Sequence, residues 1–118
     1  MKNSRAVGRE YEKQAAEYLA GLGYRILEKN FRCRMGEIDL IAKEGGYLVF
    51  VEVKYRSGTR MGEPQEAVDG RKQRKICRTA SYYCMTHRVL AQQACRFDVV
   101  ACCAGEWVVI RNAFDFVQ

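Results

Sequence analysis

The stretch GEIDLIAKEGGYLVFVEVKYR, Gly36 to Arg56, constrains the fold more than any other part of the sequence. Apolar residues alternate with polar ones on both sides of Gly45 and Gly46, which is the pattern of two strands joined by a tight turn. The second run, from Tyr47 to Arg56, carries apolar residues on both faces near its start. A strand of that kind is buried on both sides. The pattern therefore predicts a β-hairpin whose second strand is central in a sheet.

Helical periodicity flanks this hairpin. Apolar residues recur every three or four positions from Arg5 to Leu22, with Ser4 as the expected N-cap and Gly23 as the expected C-cap. Asp69 is placed to cap a second helix that runs to about His87. The inward stripe of that helix is expected to be Ile76, Cys77, Ala80, Tyr83, Cys84 and His87.

Residues 24–31, 96–103 and 107–111 have strand patterns, and the tail NAFDF is assigned to no element. The segment SGTRMGEPQE, residues 57–66, contains the only proline and is predicted to be a loop and a candidate mobile flap. The predicted order is αβββαββ. The predicted fold class is α/β, with a mixed central sheet flanked by helices.

Length and composition limit the kind of protein. At 118 residues the chain is about the size of one domain, so a single domain over residues 1–118 is expected. The longest strongly apolar run, Tyr47 to Val51, is far below the ~18 residues of a membrane span, and the N-terminus lacks the apolar region of a secretory signal. We therefore expect a cytoplasmic protein with no membrane partner.

Charge and cysteine content add two further expectations. The net charge of +6 suits a polyanionic partner such as nucleic acid. The six cysteines include no C-x-x-C pair, and the chain has one histidine. Reduced thiols are therefore expected rather than a disulfide framework or a zinc site.

The register of the hairpin brings three charged residues together. A two-residue primed turn at Gly45 and Gly46 matches the apolar face of one strand with that of the other. In that register Asp39 lies directly opposite Glu52, and Lys54 projects from the same face. The pairs that set this register are Glu44 with Tyr47, Leu40 with Val51 and Ile38 with Val53.

Two carboxylates held this close repel each other unless a cation compensates them. Mg²⁺ prefers hard oxygen ligands and usually keeps waters and substrate phosphate oxygens, so Asp39 and Glu52 are expected to form half of a metal site. Lys54 would then orient the attacking water or offset the charge that develops on a phosphodiester. A simpler interpretation also stands, in which Lys54 only neutralises the carboxylates at a strand end.

The second predicted helix begins with a concentration of cations, where the helix macrodipole disfavours positive charge. A phosphate partner would reconcile the two, because backbone amides and basic side chains together hold a nucleic-acid backbone without reading its sequence. The alternative interpretation is a solvated basic face. The candidate nucleic-acid-binding residues are Arg71, Lys72, Arg74, Lys75 and Arg78.

Asp39, followed after twelve residues by Glu52-Val53-Lys54, resembles the D…(D/E)xK motif of the restriction-endonuclease-like nuclease superfamily. The segments GREYEKQAAEYLAGLGYRIL, GEIDLIA, LVFVEVKYRS, GEPQEAV and RFDVVA resemble the YraN-like family of small bacterial proteins. That resemblance covers nearly the whole chain. Those proteins in turn resemble archaeal Holliday-junction resolvases, which are metal-dependent nucleases acting on branched DNA.

The resemblance implies a restriction-endonuclease-like fold in which Asp39 and Glu52 hold Mg²⁺ or Mn²⁺ and Lys54 is the catalytic lysine. Glu12, in Gly8-x-x-x-Glu12, matches a glutamate that joins the metal site in resolvase relatives, although its helix position fits a solvated charge equally well. Lys72 matches a lysine on the second helix. The implied partner is DNA, and resolvase-like chemistry implies a homodimer with two sites.

These observations predict a nuclease that hydrolyses phosphodiester bonds of structured DNA, branched DNA included, or of another nucleic acid. Two other functions fit the same residues. One is a nucleic-acid-binding module of the same fold that keeps the charged triplet as a salt-bridged relic. The other is a protein-interaction or assembly factor that uses an exposed sheet and the aromatic tail. Asp98, in RFDVVA, is expected to pair with Arg96 or another arginine rather than to act in catalysis.

Overall fold

Five strands and two helices follow one another in the predicted order αβββαββ. The structure is a computed structural model that describes residues 4–56 and 68–117. The elements are α1 (Ser4–Gly21), β1 (Arg25–Cys33), β2 (Gly36–Glu44), β3 (Tyr47–Arg56), α2 (Gly70–Thr86), β4 (Cys95–Cys103) and β5 (Glu106–Phe114). The strands lie in the order β1-β2-β3-β4-β5, so β3 is central as predicted.

The sheet is mixed, as predicted. β3 and β4 are parallel and are connected through α2, whereas β1–β2, β2–β3 and β4–β5 are antiparallel. The predicted fold class, α/β with a mixed central sheet flanked by helices, is therefore confirmed. The segment SGTRMGEPQE, predicted to be a loop and flap, lies outside the described residues.

Capping chemistry explains where the helices begin and end. Gly23 adopts φ +101°, which lets the amide of Tyr24 return to the carbonyl of Leu19 at 3.0 Å, as in a Schellman motif. Asp69 caps α2, because its side chain accepts a hydrogen bond from the amide of Lys72 at 2.9 Å. The expected caps at Gly23 and Asp69 are confirmed. The expected N-cap of α1 is wrong, because Ser4 is already helical.

The inward face of α2 differs from expectation at its last turn. His87 is the C-cap, and its side chain is 42% exposed. The expectation that His87 points inward is wrong because α2 ends one residue earlier and the imidazole lies flat on the ring of Tyr83, 3.9 Å between centroids. Cys84 is half-buried, and the fully buried residues are Ile76, Cys77, Thr79, Ala80 and Tyr83.

The last strand is longer than predicted. β5 extends to Phe114 and so takes in part of the unassigned tail. The reason is packing against β4, since the rings of Phe97 and Phe114 stack with centroids 5.0 Å apart.

An apolar core lies on each side of the sheet. We call the side covered by α1 the α1 face and the side covered by α2 the α2 face. On the α1 face, Leu19 of α1 packs in one cluster with Val49 and Val51 of β3. On the α2 face, Leu48 and Phe50 of β3 pack in one cluster with residues of α2. Successive residues of β3 thus bury their side chains on opposite sides. This double burial explains the nearly continuous apolar run of the central strand.

The hairpin of β2 and β3 has the predicted register over most of its length. The pairs run without a shift from Glu44↔Tyr47 to Leu40↔Val51. Gly45 adopts φ +62°, as the first central residue of a primed turn requires. The two-residue turn predicted from the match of the apolar faces is therefore confirmed.

The pairing of β2 with β3 stops at Leu40. The predicted pairs of Asp39 with Glu52 and of Ile38 with Val53 are wrong, because neither forms. Instead, Oδ2 of Asp39 accepts a hydrogen bond from the amide of Val53 at 2.8 Å. A side chain of β2 thus takes the place that a backbone carbonyl would have in a continued ladder.

A buried ionic network joins β4 to its neighbours near the turn between β2 and β3. Asp98 is fully buried and accepts hydrogen bonds from the hydroxyl of Tyr24 (2.6 Å), from Nε and Nη2 of Arg96 (2.9 Å each) and from the amide of Asn112 (2.9 Å). Arg96 also donates to Glu44 at 2.8 Å. The expected pairing of Asp98 with Arg96 is confirmed.

All six cysteines lie within the described ranges, and none of them forms a disulfide bond. Neither of the described helices is long and apolar enough to cross a membrane.

Replacing Asp98 by Ala is expected to lower the free energy of unfolding by about 3–5 kcal/mol, because the buried guanidinium of Arg96 would lose its main partner. Urea unfolding followed by circular dichroism measures this. The control is Glu37→Ala, which breaks an ion pair with Arg32 whose side chains are 47% and 62% exposed and should cost less than about 1 kcal/mol. Equal losses in the two variants would contradict the role given to the network.

Candidate active site

Three carboxyl side chains from three different elements line one cavity where the β2–β3 pairing stops. The cavity measures about 320 Å³. It lies at the carboxyl-terminal end of the central strand, which is the common position of ligand sites in open α/β sheets. Its lining residues are Val7, Gly8, Tyr11, Glu12, Asp39, Glu52, Val53 and Tyr55. We call Glu12, Asp39 and Glu52 the carboxylate cluster.

Asp39 lies at an irregularity of β2. Ile38 packs on the α2 face and Leu40 on the α1 face, although a regular strand would put both on one face. Asn30, which lies across from Asp39 on β1, adopts a left-handed φ of +55°, a conformation that Asn tolerates better than most residues. This local twist accompanies the turning of the Asp39 carboxylate toward β3.

Glu52 projects from β3 toward the α2 face, in line with Phe50 in the core there. Its side chain is only 8% exposed. Oε1 of Glu52 lies 3.9 Å from Nζ of Lys54 and 3.6 Å from Nζ of Lys72, which is in the first turn of α2. The structure thus brings Lys54 to Glu52 and adds a second lysine that the hairpin register alone does not supply.

Glu12 reaches the same cavity from the α1 face. Its carboxyl group shares a hydrogen bond with that of Asp39, and the side chain of Asn30 also hydrogen-bonds to Glu12. The sequence allowed two interpretations of Glu12, a solvated helix charge or a member of the site. Its contact with Asp39 favours the second.

Burial raises the pKa of each carboxyl group in the carboxylate cluster and so favours the protonated forms. It raises the pKa of Glu52 to about 7, an effect increased by the charge of Asp39 and opposed by Lys72 and Lys54. The pKa of Glu12 is also raised to about 7, by burial, by the charge of Asp39 and by the hydrogen bond between the two. Burial raises the pKa of Asp39 as well, although hydrogen bonds to its charged form oppose this. The two lysines therefore offset the negative charge only in part.

The donor set of the cluster fits a hard divalent cation, because carboxylate oxygens are the ligands that Mg²⁺ and Mn²⁺ prefer. The raised pKa values point the same way, since an added cation would stabilise the charged forms that burial and the neighbouring carboxylates disfavour. Within residues 4–56 and 68–117, no three His, Cys, Asp or Glu side chains are already arranged as a metal site. Mg²⁺ usually completes its shell with waters and substrate phosphates. The cluster would therefore serve as a half-site.

The five predicted nucleic-acid-binding cations do not form one group. Lys72 lies beside Glu52 and is half-buried. The other four are exposed and form no ion pair with another described side chain: Arg71, Arg74, Lys75 and Arg78. A second cavity of about 450 Å³, which we call the basic cavity, is lined by Arg32, Cys33, Gly36, Glu37, Lys72, Lys75 and Ile76. Lys72 therefore links a basic surface to the carboxylate cluster.

Three residues near the cluster were not singled out from the sequence: Asn30, Tyr11 and Tyr55. The rings of Tyr11 and Tyr55 stack with centroids 3.9 Å apart, and a hydrogen bond to Tyr55 raises the pKa of Tyr11 to about 12. Tyr11 precedes Glu12 and Tyr55 follows Lys54, so adjacency to predicted site residues is the available signal for the two tyrosines. Nothing in the sequence near Asn30 signals its contact with Glu12.

Fold and site together define a mixed α/β protein with three carboxyl groups and two lysines at the end of its central strand. The sequence profile of Uncharacterised protein family UPF0102 matches residues 11–102, and the chain belongs to this family. Membership of the YraN-like family of small bacterial proteins, expected from the sequence motifs, is thereby confirmed. The matched range includes the carboxylate cluster and both lysines.

Individual relatives match over most of their length. A UPF0102 protein of Lachnoclostridium phytofermentans is 50% identical over 113 residues, which is 96% of each chain. A UPF0102 protein of Symbiobacterium thermophilum is 55% identical over 97 residues, covering 82% of this chain and 81% of the relative. A UPF0102 protein of Persephonella marina is 45% identical over 108 residues, which is 92% of each.

Replacing Glu52 by Gln is expected to stabilise the protein in EDTA at about pH 8 and to change little at about pH 5. The pKa of Glu52 rises from an ordinary 4.5 to about 7 on folding, so its ionised form opposes folding, and stability falls as pH rises through this window. Gln keeps the shape without the charge. Melting temperature should rise by roughly 5 °C or more at the higher pH. A melting temperature that falls there would contradict the charge balance described for the cluster.

Proposed function

We propose that the protein is a metal-dependent nuclease that hydrolyses phosphodiester bonds of nucleic acid, with DNA as the expected substrate. The observation that carries the proposal is the convergence of Glu12, Asp39 and Glu52 with Lys54 at the end of the central strand. The identity of these side chains and their order along the chain resemble the D…(D/E)xK motif of the restriction-endonuclease-like nuclease superfamily, and this resemblance supports the proposal.

Each residue of the site has a role that its position supports. Glu12, Asp39 and Glu52 would hold Mg²⁺ or Mn²⁺, which when bound supplies Lewis-acid polarisation of the phosphodiester. Lys54 lies 3.9 Å from Glu52, beyond hydrogen-bond length, and its side chain is 30% exposed. Its ammonium therefore retains donors that can hold the attacking water or offset the charge that develops on the phosphate.

The exposed cations of α2 support a nucleic-acid substrate. Lys72 contacts Glu52 and lines the basic cavity together with Lys75 and Arg32. A phosphate bound there would lie next to the carboxylate cluster. The same backbone would continue along the exposed face of α2, where Arg71 and Arg78 supply further positive charge.

A nucleic-acid-binding module without catalysis is the second candidate. The ion pairs of Glu52 with Lys72 at 3.6 Å and with Lys54 at 3.9 Å favour it, because they neutralise part of the cluster without a metal. Such a module would bind nucleic acid and leave it intact in the presence of Mg²⁺ or Mn²⁺.

The test is cleavage of a panel of branched, flapped, single-stranded and duplex substrates with Mg²⁺, with Mn²⁺ and with EDTA. We expect metal-dependent cleavage of at least one substrate by the native protein. Lys54→Ala should slow this cleavage by roughly 10² or more, because the transition state loses a donor, while nucleic-acid binding survives. Glu52→Gln should abolish most of the cleavage.

Lys43→Ala is the matched control for Lys54→Ala, since Lys43 is an exposed lysine near the opposite end of the hairpin. Melting temperatures of all variants, with and without metal, show whether a rate loss reflects unfolding. Undiminished cleavage by folded, metal-loaded Lys54→Ala protein would remove Lys54 from the catalytic residues. Binding without cleavage on the whole panel would favour the non-catalytic module.

The basic face of α2 is tested by the double variant Lys75→Ala and Arg78→Ala. Binding should weaken similarly for all sequences, and the slope of log affinity against log salt should flatten by about one unit per lost phosphate contact. The matched control removes the same charge from exposed positions paired across β1 and β2, with Arg25→Ala and Lys43→Ala. Equal slopes for the two double variants would mean that the basic residues of α2 face solvent and make no phosphate contacts of their own.

A further inference from the structure

The pair formed by Tyr11 and Tyr55 is a part of the site to which the proposed chemistry gives no role. Tyr11 immediately precedes Glu12 on α1, and Tyr55 immediately follows Lys54 on β3. Both tyrosines line the cavity that contains the carboxylate cluster. Their ring centroids are 3.9 Å apart and their planes differ by 24°, so the rings are stacked.

Tyr11 covers only one face of the Tyr55 ring, and Tyr55 is 47% exposed. Tyr47, near the other end of β3, is similarly exposed at 43%, but the guanidinium of Arg96 lies 4.9 Å from its ring centroid. Among the side chains that the structure describes, no cation lies over the ring of Tyr55. Within the part of the chain that the structure describes, Tyr55 therefore presents an exposed aromatic surface at the rim of the cavity.

We infer that Tyr55, supported by Tyr11, is a stacking platform for an unpaired nucleobase. The substrates would then be strands with unpaired bases, such as single strands, flaps and frayed ends, rather than continuous duplex. This inference rests on the proposed function, because it takes the carboxylate cluster as the site of cleavage.

The chemistry of a nucleotide fits both parts of the cavity. Every base has a flat π-face, so stacking on Tyr55 would accept any sequence. The phosphate joined to a stacked base would lie near the carboxylate cluster, because Tyr55 and the three carboxyl groups line the same cavity. Bases inside a duplex stack on each other and must be unstacked before they reach a protein ring.

The existing contact between the two tyrosines favours this role. Tyr11 already holds the ring of Tyr55 in place, so little side-chain freedom is lost when a base is added to the stack. The basic cavity beside Lys72 would hold the phosphates of the same strand on the other side of Glu52. The strand would thus cross the end of β3.

The first experiment compares affinities of the native protein in EDTA, where cleavage is absent, by fluorescence anisotropy. The probes are an oligothymidine, an oligouridine, an abasic deoxyribose strand of the same length and a blunt duplex. We expect at least one of the base-containing single strands to bind about tenfold or more tightly than the abasic strand, which carries the same phosphates. The thymidine and uridine arms separate DNA from RNA. Equal affinity for the abasic strand, or no binding of any probe, would overturn the inference.

The second experiment uses variants of the platform. Tyr55→Ala should lose the preference for bases over the abasic strand, and Tyr55→Phe should keep it, because Phe retains the ring. Tyr47→Ala is the matched control on the same strand and should also keep the preference. A folded Tyr55→Ala protein that has a lower melting temperature but an unchanged preference would mean that the ring only packs α1 on β3.

Photocrosslinking of a 5-iodouracil strand to the native protein covers the case in which Tyr55→Ala fails to fold. Mass spectrometry should then identify Tyr55 or Tyr11 as a crosslinked residue, and crosslinks confined to other surfaces would overturn the inference. The outcome that would overturn the proposed function differs from the outcome that would overturn the stacking platform. Base-dependent binding without metal-dependent cleavage would overturn the nuclease and leave the platform, and cleavage without base-dependent binding would do the reverse.

Discussion

The candidate site depends on one hydrogen bond, from the amide of Val53 to Oδ2 of Asp39 at 2.8 Å. An amide buried in a sheet needs an acceptor, since leaving it without one costs about 1–3 kcal/mol. In a continued hairpin that acceptor would be a carbonyl of β2, and the carboxylate would stand out from one face of the sheet. Because the carboxylate itself is the acceptor, Asp39 stays between the strands, where groups from both faces reach it.

Because Asp39 lies between the strands, one cavity is lined by groups from both sides of the sheet. Glu12 approaches Asp39 from the α1 face, and Glu52 comes from the α2 face with Lys72 beside it. The result contrasts with the other buried acid of the sheet. Asp98 is matched by four donated hydrogen bonds, whereas the carboxylate cluster has raised pKa values and incomplete compensation. One arrangement stabilises the fold, and the other is typical of a functional site.

The proximity of Asp39, Glu52 and Lys54 could be predicted from the sequence, but for a reason that was only partly correct. The turn and the match of apolar faces set the register as far as Leu40, because a slip by one residue would turn every apolar side chain to the wrong face. The step from that register to a direct Asp39–Glu52 pair failed. A ladder is expected to continue unless a signal interrupts it, and a side chain that replaces a backbone acceptor leaves no periodic signal.

The sequence by itself determined the order of helices and strands, the hairpin turn and the caps at Gly23 and Asp69, because these follow from periodicity and turn chemistry within a few residues. Only the tertiary structure decided that Glu12, Lys72 and the stacked tyrosines meet at the end of β3. Their contacts join elements far apart in the chain and depend on how each helix is rotated about its axis over the sheet. The apolar stripe of a helix shows which face is turned to the sheet but not the exact rotation of the helix about its axis. A site needs the exact rotation, because it decides which side chains come within contact distance.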